Sequence, residues 1–339
     1  MSINLITGAT GLVGAHVAFR LLQLNKPVVA IKRAGSDTEK TKKLFSYYSS
    51  DADYLFNQIK WIEADLNDIY SLIDALEGID VVYHCAGMVS FNSKDQKQLH
   101  QINSIGTANL VNACLEKNIN YFCHVSSIAT LQNPDISNQI NESVYWKSSP
   151  TASDYAISKY NGEREVWRGI EEGLKAVIVN PGIILGPGFW EQSSGKLIKR
   201  CYDGSAFFTD GLSATVDARD VANCMIELIE KKHLNKRFVI TEGNYPYKVI
   251  LTLAHQAFSK KEPFIKASKP LLEIAKWINV IHSLLTGKQP QLSKSMISGA
   301  LSKNTYDSSL IKQTLDYQFI PLTNTIDFVC KAYLDDLKS

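Results

Sequence analysis

The sequence predicts an α/β chain: a doubly wound parallel sheet with a smaller C-terminal lobe. Three observations carry this. A short apolar run, residues 3–7, ends in a turn with glycines at three-residue spacing, Gly8, Gly11 and Gly14, and an amphipathic segment over 16–24 follows at once. Apolar strand-like runs then alternate with helix-periodic segments as far as residue 240. After about residue 244 the alternation stops.

Taken in order, the first strand enters its helix through Gly8-Ala9-Thr10-Gly11-Leu12-Val13-Gly14. Gly8 allows the turn, Gly11 lets backbone approach a pyrophosphate, and Gly14 lets helix and strand pack closely. The free N–H groups of that helix end, with its positive dipole, suit a dianionic linker. A glycine trio alone is also an ordinary turn; the strand before it and the helix after it are the context a dinucleotide site requires. The second strand, 27–32, ends Lys32-Arg33, with Ser36, Lys40, Lys42 and Lys43 beyond. An NAD-specific site usually has a carboxylate here for the ribose hydroxyls. Two cations suit a 2′-phosphate instead, so NADP(H) is the expected cofactor and NAD(H) the alternative. The third strand, 60–63, leads to Asp65-Leu66, where a carboxylate can accept the adenine amino group; Asp65 and Asp68 equally suit a cap on the helix-like run 69–76.

The fourth strand, 81–85, ends His84-Cys85-Ala86-Gly87. Cys85, Ala86 and Gly87 are small enough to leave room for ribose and diphosphate, and His84 reads as a core histidine. A helix-periodic stretch, 100–117, leads to the fifth strand, 122–126, which ends at Ser126-Ser127. The next helix, 155–172, carries Tyr155 and Lys159. Then come a strand at 176–180, a helix at 217–231 and a last strand at 237–240. Asp217, Arg219 and Asp220 open the 217–231 helix as a cap and salt-bridge cluster. Uniformly apolar strands indicate a sheet covered on both faces, with ligands at the carboxyl ends of the strands. Residues 1–244 are therefore expected as a Rossmann-type dinucleotide-binding unit, with substrate-side insertions around 186–215. Residues 245–339 are expected as the substrate lobe, interleaved with that unit, with two helix-like stretches and a Ser/Lys/Pro-rich stretch at 288–303. The run 271–285 gathers Leu272, Ala275, Trp277, Ile278, Ile281 and Leu285 in an apolar sector, with Glu273 and Lys276 elsewhere. It reads as a cover over the cleft mouth, with a membrane-surface helix as the alternative.

Composition narrows the function. The 339 residues are 45% hydrophobic and 21% charged, as in a globular enzyme. A formal charge of +2 offers no polyanion-binding surface, so nucleic acid is not an expected partner. Six cysteines, without CxxC pairs or His/Cys metal spacing, point to reduced buried thiols and to no metal site. No basic region precedes the first strand and no run can span a bilayer, so a cytoplasmic location is expected. A homodimer is compatible with all of this.

The pattern that decides the chemistry is a strand-terminal serine pair followed by Tyr155 and Lys159, which share one helix face at i and i+4. A phenol with a pKa near ~10 is a poor acid–base group at neutral pH; a nearby ammonium and a cationic nicotinamide favour its ionisation. Such a tyrosine can give a proton to a carbonyl oxygen or take one from an alcohol, and a serine hydroxyl can hold the same oxygen.

On these residues the chain resembles the extended short-chain dehydrogenase/reductases over most of residues 1–265. Residues 7–14 match TGxxGxxG, residues 103–107 match NxxGT, and residues 181–188 match PGxxxGPG. The branch it resembles is that of dihydroflavonol 4-reductase, aldehyde reductase and 3β-hydroxysteroid dehydrogenase, supported by Lys32-Arg33, by residues 84–87 with Phe91 soon after, and by the late Tyr306-Asp307 and Leu315-Asp316-Tyr317. The resemblance implies Ser127, with Ser126 as a turn residue, as the catalytic serine beside Tyr155 and Lys159. It implies Asn103 as the residue that orients the helix of Tyr155 or supports a water relay, and Pro181, Gly182, Ile183 and Ile184 beside the nicotinamide. Two departures weaken a sugar-nucleotide reading: Asn180 stands where many relatives carry arginine, and no Thr/Asp-Glu pair flanks the serine. Aromatic residues in loop-like stretches (Phe91, Tyr145, Trp146, Phe189, Trp190, Tyr202, Phe207, Phe208) are candidates for an apolar pocket. Phe91, Trp190 and Tyr202 are taken as substrate contacts with Ser127 and Tyr155. The expected activity is NADP(H)-dependent interconversion of a carbonyl and an alcohol on a hydrophobic or aromatic small molecule. The alternatives are a sugar-nucleotide epimerase or dehydratase with tightly bound NAD and, from another class, an NADP-binding sensor or scaffold without turnover.

Overall fold

The computed structural model describes residues 2–132, 139–149, 152–286 and 293–338, with no side chains described for 280–286. The chain opens with β1 (Asn4–Thr7), α1 (Leu12–Gln23), β2 (Val28–Lys32), α2 (Glu39–Ser46), α3 (Ala52–Asn57), β3 (Lys60–Glu63), α4 (Ile69–Ala75) and β4 (Val81–His84). Then come α5 (Gln96–Leu99), a π-helical turn (His100–Ile105) running into α6 (Gly106–Glu116), β5 (Tyr121–Val125), β6 (Gln139–Ile140), α7 (Asp154–Glu171), β7 (Ala176–Pro181) and β8 (Ile183–Leu185). The remainder is α8 (Ser193–Tyr202), β9 (Phe207–Phe208), β10 (Leu212–Asp217), α9 (Ala218–Glu230), β11 (Lys236–Ile240), β12 (Gly243–Pro246), α10 (Tyr247–Ala257), β13 (Ile265–Lys266), α11 (Lys269–Thr286), α12 (Lys294–Leu301), β14 (Thr305–Tyr306), α13 (Ser309–Leu315) and α14 (Leu322–Asp336).

Seven parallel strands form the central sheet in the order β11-β7-β5-β4-β1-β2-β3. The order reverses at β1, so a crevice opens there above the strand ends. One face is covered by a core of α1, α2 and α9 side chains, including Val17, Leu21, Phe45 and Met225. The other is covered through α4, α6 and α7, with Leu72, Leu110 and Val166. All seven strands lie where the apolar runs place them. The expected uniform apolarity fails at β3, whose Lys60 and Glu63 are exposed because it is the sheet edge.

Among the described residues the C-terminal region holds five helices rather than two. The Ser/Lys/Pro-rich stretch 288–303 contains α12, capped by Ser293 Oγ, which accepts from Met296 N–H at 3.2 Å. The interleaving is extensive. β14 pairs with β6, α14 packs on α10, and Phe328 of α14 stacks on Tyr48 at 5.2 Å. A small sheet, β12-β10-β8, and the core of Ile198, Ile250, Ile326 and Tyr333 build the lobe beside the crevice. The apolar sector of α11 faces outward. Leu271, Ile274, Ala275, Trp277 and Ile278 are exposed, Leu272 is half-buried, and the helix packs on α12. The side chains of Ile281 and Leu285 lie outside the described residues. Among the described residues no helix is long and apolar enough to cross a membrane.

Candidate active site

The glycine turn fits a dinucleotide. Gly8 has φ +70°, and a Cβ there would meet Ala86 N at 2.6 Å, so the turn needs glycine on both counts. α1 begins after Gly11 with no side-chain cap and no acidic residue in its first turn. Its N–H groups are therefore left for an anion. Thr10, Leu12 and Val13 are only half-buried, and Gly186, of the segment that matches PGxxxGPG, lies against Leu12 and His16. Beside this strip Lys32 is half-buried and Arg33 exposed, and among the described residues neither joins an ion pair. Asp65 closes a local turn by accepting from Asn67 N–H at 2.8 Å, while Asp68 caps α4. Leu66 packs against Gly106. His84 is a core histidine, hydrogen-bonded to Thr7 Oγ1 at 2.7 Å and Thr107 Oγ1 at 2.9 Å, with its pKa pushed down to about 3 by burial. Its neighbours Cys85, Ala86 and Gly87 stay accessible, and a Cβ on Gly87 would stand 3.6 Å from Lys159 Nζ.

α7 starts sharply because Ser153 Oγ accepts from Ala156 N–H at 3.1 Å. That start places Tyr155, Lys159 and Glu163 one turn apart on a single face. The Ser127 side chain lies beside the Tyr155 hydroxyl. The Phe91 ring meets Tyr155 edge-on, with centroids 5.7 Å apart. Lys159 Nζ is buried and donates to Val125 O at 2.6 Å. Burial brings the Lys159 pKa down to about 8, while the charge of Glu163 opposes the fall. In the protein alone, the phenol's pKa is raised by burial, and the Ser127 side chain is the opposing influence.

Asn103 sits on the π-helical turn, a feature frequent at functional sites. Its Oδ1 accepts from Met88 N–H at 2.8 Å, and its Nδ2 donates to Met88 O and to Ser158 Oγ, each at 2.9 Å. It thus joins the loop after β4 to α7. The close approach depends on Gly162, where a Cβ would collide with Asn103 O.

A buried polar cluster under Ser127 escaped the sequence. Glu163 Oε2 accepts from Ser126 Oγ at 2.6 Å, Thr130 Oγ1 at 2.8 Å and Asn180 Nδ2 at 2.9 Å. Glu163 Oε1 pairs with Arg237 Nη1 at 3.2 Å. Ser126, expected as a turn residue, is therefore a side-chain donor. Arg237, from β11, brings a guanidinium to the carboxylate under the position where an arginine was missed at Asn180. The one available signal was Glu163 at i+4 from Lys159.

Other candidates lie elsewhere. Gly182 packs against Ala214 O, and Ile183 and Ile184 are half-buried in β8. Trp190 and Tyr202 meet Tyr333 at 5.0 and 5.2 Å, and Trp190 Nε1 donates to Asp336 at 2.7 Å. These contacts belong to the lobe core, and the structure brings neither residue to Tyr155 among its ring contacts. Phe189 is buried in the main core, Tyr145 is exposed, and Trp146 stacks on Tyr160. Phe207 is exposed at the lobe surface and Phe208 lies beneath Lys248. Asp217 caps α9 and pairs with Arg219 at 2.6 Å, and Asp220 accepts from Tyr317 Oη and Ile320 N–H, each at 2.9 Å. Among the described residues no His/Cys/Asp/Glu group could hold a metal ion.

Residues 4–241 match the family model described as the NAD dependent epimerase/dehydratase family. Among curated proteins the chain is 28% identical over 242 residues to sterol demethylase protein B of Methylococcus capsulatus, covering 70% of this chain and 69% of that one. It is 28% identical over 192 residues to dihydroflavonol 4-reductase of Arabidopsis thaliana, covering 54% and 49%. The crystal structure of gox2253 superposes with a TM-score of 0.80 over 99% of both chains at 23% identity, a likeness of fold.

Proposed function

Because the chain belongs to the NAD dependent epimerase/dehydratase family, whose reach includes reductases, we propose that it is an NADP(H)-dependent reductase of hydrophobic or aromatic carbonyl compounds. The observation that carries this is the Ser127 side chain beside the Tyr155 hydroxyl, with the Phe91 ring edge-on to the same tyrosine. It sets a polar pair for one oxygen against an apolar wall. When bound, the nicotinamide supplies or accepts the hydride. Gly8, Gly11 and the start of α1 hold the diphosphate, with Lys32 and Arg33 at the 2′-phosphate, and Asp65, Leu66 and Cys85–Gly87 lining the adenosine and ribose side. Ser127 donates to the carbonyl oxygen and Tyr155 delivers the proton to it. A phenol kept protonated by burial suits the acid role. Lys159, held by Val125 O, sets the positive charge beneath the site and would hold the nicotinamide ribose. Asn103 fixes α7 against the loop after β4.

The test follows NADPH oxidation with a panel of aromatic and aliphatic aldehydes and ketones. Turnover should appear with apolar carbonyl compounds, and Tyr155→Phe should lower it by at least about 10²-fold with NADPH affinity nearly unchanged. Purification with stoichiometric bound NAD and no turnover of any carbonyl would favour the epimerase reading instead.

A further inference from the structure

Helix α11 is built inside out. Its apolar residues face solvent: Trp277 is 64% exposed, Ile278 62% and Ile274 57%, with Leu271 and Ala275 exposed on the same arc. At 100° per residue these five positions fill about 160° of the circumference. The opposite arc carries Lys269, Glu273 and Lys276. There the Glu273–Lys276 ion pair is the more sheltered side, with Lys276's side chain only 22% exposed. Beside the start of the helix, Phe264 is 60% exposed under the Lys261 ammonium, which lies 4.4 Å from the ring centroid. An apolar patch of this extent on a lone surface helix marks an interaction site.

The surrounding charge identifies the occupant. Between residues 247 and 303 the chain carries nine lysines against two acidic residues, Glu262 and Glu273, while the whole chain is only +2. The remainder is therefore net negative and the cations are concentrated here. Lys260, Lys261 and Lys266 are exposed within seven residues of one another in the segment leading into α11, Lys266 in an ion pair with Asp210. An exposed apolar stripe with a tryptophan, set in a lysine-rich rim, is the composition of a helix that lies in the headgroup layer of an anionic bilayer. A second copy of the chain would have to bring this cationic rim against itself. We propose that the outer face of α11, with the Phe264 segment, docks the protein reversibly on an anionic lipid surface.

The full-length protein is sedimented with vesicles of phosphatidylcholine alone and of phosphatidylcholine with 30% phosphatidylglycerol. The expected result is binding to the anionic vesicles, weakened by salt. Trp277→Ser with Ile278→Ser should weaken it about tenfold or more. Lys260→Glu with Lys261→Glu should abolish the preference for anionic lipid. Both variants should keep the wild-type melting temperature and NADPH affinity, because the residues are exposed and outside the cofactor cradle. Failure of the wild-type protein to bind anionic vesicles would overturn the proposal. So would equal binding by the Trp277/Ile278 variant, or a concentration-dependent dimer that this variant abolishes.

Discussion

Lys159 is held between two influences that a pH profile can separate. Burial lowers its pKa to about 8 and the Glu163 carboxylate, one turn on, holds it up. Reduction should therefore lose rate as pH rises through about 8 and the ammonium becomes an amine. Glu163→Gln removes the supporting charge, so the inflection in kcat/KM should move to lower pH. The same change should lower the melting temperature, because Arg237, with a side chain 12% exposed, loses its carboxylate. An unmoved inflection would remove Glu163 from this role. At the cofactor's other end, Arg33→Ala should weaken NADPH by roughly 1.5–3 kcal/mol and leave NADH nearly unchanged in a fluorescence titration. Equal losses would mean that Arg33 meets no 2′-phosphate. The Tyr155/Lys159 pair was legible because both residues lie four apart on one helix. The Glu163 cluster was not, since Asn180 and Arg237 reach it from strands 17 and 74 residues away in sequence.

At the scale of elements, the seven strands of the central sheet announced themselves by short runs, whereas β10 and β12, of six and four residues, did not. β6, β9, β13 and β14 have two residues each and exist only through their pairing partners, which no local pattern reveals. α8 was hidden by a polar sequence whose apolar residues are few, and α12 by a serine-rich stretch that serves as its cap. The junction between α7 and the π-helical turn makes the sharpest demand. Gly162→Ala would set a methyl against Asn103 O. It should cost about 1–3 kcal/mol in a denaturant titration and, by displacing α7, lower kcat more than it raises KM. A variant with wild-type kcat would show that the junction can relax without moving Tyr155.

Across the whole molecule, Asp220 ties α9 to the segment before α14. Burial raises its pKa from 3.8 to about 6. The folded state therefore holds this proton more tightly than the unfolded chain, and the contribution of Asp220 to stability falls as pH rises from about 4 to about 6. The change is on the order of 2–3 kcal/mol. Asp220→Asn should remove that slope from the melting temperature measured across this window. It should also lower the curve as a whole, since one amide oxygen cannot replace two carboxylate acceptors for Tyr317 and Ile320. A slope that persists in the variant would assign it to other carboxylates.

The last helix reaches back to the first third of the chain. Asp336 receives Trp190 Nε1 and the Tyr47 hydroxyl and pairs with Lys43, while Phe328 lies between Tyr48 and the Arg219 guanidinium. This sets an order of events during synthesis. A ribosome that has translated through residue 300 has already emitted the glycine turn, α7 and all seven strands of the central sheet. Yet the flank beside α2 still lacks the aromatic ring and the carboxylate that close it. The cofactor half of the nascent chain waits on α14, and a product stalled before it would leave the Tyr47–Tyr48 edge exposed to proteases.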